Sequence, residues 1–137
     1  MMSGASIFTV AAVLAAATVM ATPSPEGARV YFITPADGEV VNTEFTVRFG
    51  LQGMGVAPAG VELPNTGHHH LLINAEAEDL SQPLPASEQV LHFGGGQTET
   101  RLSLPPGEYR LQLMLGDHLH IPHQPPLMSE PIKVTVE

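Results

Sequence analysis

Seven histidines crowd between His68 and His123 in a chain of 137 residues that has no cysteine. They fall as a run, His68-His69-His70, a single His92, and the set His118-x-His120-x-x-His123. Imidazole titrates near neutral pH and is the commonest metal ligand, so metal binding is the first chemistry to weigh at these spacings. Without thiolate, a transition-metal site must use nitrogen, oxygen or thioether donors, which excludes multi-cysteine structural zinc and blue-copper centres. Imidazole donors suit copper, zinc or nickel, and the affinity order of divalent ions puts copper first, ahead of zinc.

Residues i and i+2 of a strand share a face with Cα atoms about 6.6 Å apart, close enough for two imidazoles to bend toward one ion. In the run after Gly67, Leu71 and Ile73 make the inward face, and His69 shares their parity. His68 and His70 therefore point the other way together. If the later strand continued past Leu115, His118 and His120 would share a face, but Pro122 ends that regularity and leaves His123 in a loop. The expected metal ligands are His68, His70, His118, His120 and His123. Behind them stand His92, alone among apolar neighbours, Asp117 as a ligand, an orienting group or a turn former, Met114, and His69, read as a hydrogen-bonded core imidazole.

The elements that must position these residues read as short alternating runs separated by Pro and Gly clusters. Strands are expected over residues 29–34, 45–51, 69–75, 90–93, 98–104, 109–115 and 132–136. Turns are expected at Pro35-Ala36-Asp37-Gly38 and Pro105-Pro106-Gly107. About seven strands in one domain predict an all-β, immunoglobulin-like antiparallel β-sandwich, with an eight-stranded jelly roll or small barrel as the competitor. The immunoglobulin disulfide and its tryptophan are both missing.

The apolar run from Ile7 to Ala17, closed by Val19-Met20-Ala21 and followed by Pro23 and Pro25, predicts a secretory signal over residues 1–21. It is too short for a spanning helix, although it has no basic n-region. A linker is then expected over 22–28 and a single domain over 29–137, in a periplasmic or secreted protein whose mature domain does not insert in the membrane. The formal charge of −9 repels phosphate backbones and anionic lipid, which argues against nucleic acid as a partner and for a cation.

The stretches Gly53-Met54-Gly55, Gly67-His68-His69-His70-Leu71-Leu72-Ile73, Leu91-His92-Phe93-Gly94 and Leu115-Gly116-Asp117-His118-x-His120-x-Pro122-His123 occur in that order. Through them the chain resembles the domain-of-unknown-function 4399 family over Val30 to Val136. The resemblance implies an exported β-domain and brings no activity with it.

Three functions stay open on these residues. The first is an exported protein that binds and handles a metal ion, copper before zinc or nickel. The second is a non-catalytic envelope interaction module whose histidines form a hydrogen-bonded network. It lacks the aromatic anchors of strong interfaces, having no Trp and two Tyr. The third, a metal-dependent enzyme, has the weakest support, because no nucleophile motif accompanies the histidines and Asp117 or Glu62 would have to serve as a base.

Overall fold

The computed structural model describes residues 3–13 and 21–137. Residues 3–13 form no regular element, and their apolar side chains Ile7, Phe8, Val10 and Val13 are 88–89% exposed. The Val19-Met20 portion of the expected processing site lies outside the described residues. Among the described residues no helix is long and apolar enough to cross a membrane.

Among the described residues nine strands follow one another: β1 (Arg29–Thr34), β2 (Val40–Val41), β3 (Glu44–Gln52), β4 (Gly55–Val56), β5 (Thr66–Ile73), β6 (Val90–His92), β7 (Glu99–Ser103), β8 (Gly107–Gly116) and β9 (Ile132–Val136). The seven expected strands are present, and the additions, β2 and β4, are two-residue pairings too short to leave a periodicity. β5 begins at Thr66 instead of His69, because its first residues pair in parallel with β4.

One sheet has the order β1-β3-β7, and the other runs β2-β9-β8-β5-β4 with β6 also paired to β5. In immunoglobulin terms the first is A-B-E and the second carries C, F and G as β5, β8 and β9. This is an all-β sandwich of immunoglobulin-like type. The Tyr109 hydroxyl, near the start of β8, donates to the Pro105 carbonyl at 2.7 Å, which is the tyrosine corner of that fold.

Alternation sorts the side chains into two cores. Val47, Phe49, Leu71, Leu111, Leu113, Leu115, Ile132 and Val134 fill the space between the sheets. On the outer face of the larger sheet, Leu72, Val90 and Met114 are capped by Leu84, from the connection between β5 and β6. β5 is thereby buried on both faces, so its apolar and imidazole side chains run without polar breaks.

The segment expected as a linker is attached to the domain. Pro23 forms a parallel bridge with Gln124, Gln124 N–H donates to the Thr22 carbonyl at 2.9 Å, and Ser24 N–H donates to the Gln124 carbonyl at 3.1 Å.

Candidate metal centre

Pairing decides which imidazoles meet. β5 and β8 are antiparallel neighbours, with His68 opposite Gly116 and His70 opposite Met114. β6 lies on the other side of β5 and sets His92 directly opposite His70. Directly opposed residues share a face, so His68, His70 and His92 all stand on the outer face of the sheet. That face is covered, and both His68 and His70 are 0% exposed.

His120 reaches the same place by a turn. β8 ends at Gly116, and Asp117 N–H donates to the Ile121 carbonyl at 2.8 Å while His120 N–H donates to the Asp117 carbonyl at 3.0 Å. The result is a hairpin with a three-residue loop, whose last position requires a left-handed backbone and normally carries glycine. Here it carries His120 at φ 63°. A histidine held there at a cost of order 1–3 kcal/mol is the kind of strain that collects at functional sites. The turn folds the chain back, with a bridge between Gly116 and Pro122, and brings the His120 ring over β5.

Three ring nitrogens converge on a fourth. His120 Nδ1 lies 2.8 Å from His68 Nε2, 3.2 Å from His70 Nε2 and 3.0 Å from His92 Nδ1. Ligand nitrogens of His68, His70 and His120 all lie within 4.8 Å of one another. His92 approaches from the side, and its ring meets that of His70 edge-on with centroids 4.5 Å apart. Its Nε2 is 3.1 Å from the Pro85 carbonyl, which only accepts. His92 Nε2 is placed to donate to that carbonyl, and Nδ1 is the nitrogen that faces the cluster.

Protonation does not resolve this crowding. Burial first, then the neighbouring His120 and His92 rings, lower the His68 pKa to about 4. Burial, then His68, His92 and His120, lower that of His70 to about 2. His120 is lowered too, by burial and then by His92, with Asp117 opposing. Neutral imidazoles keep one lone pair each, which is the form a metal ion requires. Compact nitrogen donors with no thiolate therefore fit a borderline ion such as copper or zinc.

The other expected residues lie elsewhere. His118 sits within the loop and turns to Glu62, with Nε2 3.7 Å from the carboxylate, so it does not share a face with His120. The shared-face expectation fails because the strand stops two residues before His118. His123 packs against Gly67, where a Cβ would come within 2.8 Å of its ring, and its Nε2 donates to the Thr66 carbonyl at 3.2 Å. His69 lies between the sheets against Phe49, ring centroids 5.0 Å apart. Neither His69 nitrogen has a hydrogen-bond partner among the described residues, so the expected core hydrogen bond is not made. Met114 is fully buried in the outer core with Leu72 and Leu84.

Asp117 is a turn former. Its Oδ1 accepts from Leu119 N–H at 2.8 Å and Ile121 N–H at 3.0 Å, and its Oδ2 accepts from the Thr22 hydroxyl at 2.7 Å. Burial alone would raise its pKa, but these hydrogen bonds, with the nearby His118, outweigh burial and hold it below the ordinary carboxylate value.

In the sequence His92 stands behind His118 as a candidate, yet it carries a signal of its own. Leu91 and Phe93 both pack toward the inter-sheet core, so parity alone sets His92 on the opposite face. Thr22 left no such signal, since it acts across a separation of 95 residues.

No curated protein matches the sequence. Among solved structures the chain is similar to the PKD domain (329–428) from human KIAA0319, a solution structure, at 12% identity, over 90% of this chain and 89% of that chain, with a TM-score of 0.42. The fold assignment rests on the strand order given above. The family model described as a domain of unknown function (DUF4399) matches residues 47–137, and the chain belongs to that family.

Proposed function

We propose that this is an exported metal-binding protein that takes copper, ahead of zinc or nickel, at His68, His70, His92 and His120. One observation carries the reading: His120 Nδ1 stands 2.8 to 3.2 Å from three other imidazole nitrogens. A ring nitrogen donates one proton or accepts at one lone pair, so hydrogen bonding satisfies one of those contacts and leaves the others as repulsive nitrogen–nitrogen contacts. A cation at their centre turns that repulsion into coordination. Copper is favoured by the affinity order for nitrogen donors. Export is supported by the short apolar run, in which Ile7, Phe8, Val10 and Val13 are exposed.

The second reading is a structural imidazole network without an ion, and it draws on the same distances, which fall within hydrogen-bonding range. The test is to isolate the protein from the periplasm without an affinity tag and determine bound metals by mass spectrometry. Copper and zinc titrations before and after chelation complete it. Stoichiometric copper, or uptake of one ion per chain that protects the histidines, is the expected result. No binding at micromolar ion gives first place to the network reading.

A further inference from the structure

The hairpin loop that carries His120 is held from outside by the residues that follow the apolar N-terminal segment. Thr22 reaches one end of the loop, where its hydroxyl donates to Asp117 Oδ2 at 2.7 Å. The same residue reaches the other end through its carbonyl, which accepts from Gln124 N–H at 2.9 Å. Ser24 doubles the second attachment, its N–H donating to the Gln124 carbonyl at 3.1 Å and its hydroxyl to the Pro125 carbonyl at 2.7 Å. Between these anchors, the other oxygen of Asp117 holds the amides of Leu119 and Ile121, the two neighbours of His120.

We infer that Thr22 is the positioning residue of the metal centre, acting through the Asp117 carboxylate to hold His120 in its left-handed conformation over β5. Asp117 has two jobs for two oxygens. With Oδ2 fixed by the Thr22 hydroxyl, the carboxylate cannot rotate, and Oδ1 stays aimed at the two amides that define the turn. His120 is the ligand that most needs such support. His68, His70 and His92 come from strands, whereas His120 comes from a loop in a backbone conformation histidine disfavours. Both of these Thr22 hydrogen bonds use its hydroxyl or carbonyl, so a chain beginning at Thr22 keeps them. Processing after Ala21 preserves the clasp, and trimming one residue further removes the Thr22 hydroxyl from it.

This inference rests on the metal reading, and the experiment separates the two. Wild type, Thr22→Val and Thr22→Ser are isolated as full chains and titrated with cupric and zinc ions against chromophoric chelators. Amide hydrogen exchange at Leu119 and Ile121 is followed in the ion-free proteins. Thr22→Val keeps the shape and removes the hydroxyl. The expected result is a fall in affinity of about tenfold or more, as for other groups that orient ligands from behind. It should come with faster exchange at both amides, near-wild-type values for Thr22→Ser, and an unchanged unfolding midpoint in the ion-free state to within a few degrees. Thr22→Val binding both ions as tightly as wild type overturns the assignment while leaving the metal centre standing. A wild type that binds neither ion overturns both.

Discussion

Replacing His120 by glycine separates a preformed metal centre from a structural imidazole network. The residue sits at φ 63°, where a side chain costs roughly 1–2 kcal/mol that glycine does not incur. Against this relief stand the extra freedom glycine gives the unfolded chain, about 0.4–1 kcal/mol, and the loss of whatever hydrogen bond Nδ1 makes. One such bond contributes about 1 kcal/mol net. The Leu84 N–H to His120 carbonyl bond, 2.8 Å, belongs to the backbone and survives. In a metal centre these terms nearly cancel, and ion-free His120→Gly should unfold in urea within about 1 kcal/mol of wild type. In a network, the same change strips partners from His68 and His70, both fully buried, at about 1–3 kcal/mol each. With ion the order reverses. At a free concentration of 100 Kd the wild type gains about 2.7 kcal/mol, and a variant short of one ligand gains little. The assay is a pair of urea melts for each protein, in chelator and in buffered copper. A loss above about 2 kcal/mol in chelator, with no gain from copper in the wild type, refutes the reasoning and identifies His120 as a structural hub.

Four further outcomes are expected. His70→Ala and His92→Ala should each weaken copper binding at least tenfold in a chelator competition, while His118→Ala, which removes a ring facing Glu62, should change it less than about twofold. Gly116→Ala places a Cβ 2.5 Å from His70 Cε1, and displacing that packed ring should cost about 1–3 kcal/mol in denaturant melts and weaken ion binding in parallel. His69→Leu removes two buried nitrogens that have no partner among the described residues, and should raise stability by about 1–2 kcal/mol with the metal affinity unchanged. Acid should destabilise the ion-free protein: His68 and His69 are lowered to about 4 and His70 to about 2, so the unfolded chain, with ordinary histidines near 6.5, takes up protons first. Stability from these groups is complete above about pH 6.5 and falls as pH drops toward 4, with His70 extending the loss toward 2. Melts at pH 7.5 and 4.5 measure the slope, and His69→Leu should flatten it.

Parity on single strands was legible in the sequence, and relations between strands were not. Leu71 and Ile73 fixed the inward face of β5, which set His69 inside and His68 with His70 outside, as the structure has them. The outward face, however, is no surface. Nothing local to the histidines shows that Leu84, from a polar and proline-containing connection, returns to cover it. The step from Leu115 to His120 misled for a related reason. Period-two reasoning carries a strand forward until a breaker appears, and the visible breaker was Pro122, whereas the chain had already turned at Asp117. The aspartate that drives this turn was open to either role in the sequence, because a carboxylate before a histidine can orient a ligand or bind its own backbone. The pairing of His70 with His92 depends on register, which the pattern of apolar residues specifies only once the partner strand is known.

One glycine gives the crowded imidazoles their volume, and a second makes room for a histidine outside the cluster. Gly116 lies across the strand from His68, and a methyl there would occupy the space of the His70 ring. Gly67, in β5 beside His68 and of opposite parity, yields its space to the ring of His123. The unit that could be moved to another protein is therefore larger than its donors. Grafting His68, His70, His92 and His120 onto a different immunoglobulin-like sheet would overfill it unless the empty position at Gly116 travelled with them, along with the left-handed turn after the strand. A search for kindred centres keyed only to histidine spacing collects sheets too full to hold the rings, whereas one that also requires glycine opposite the first histidine selects those with room.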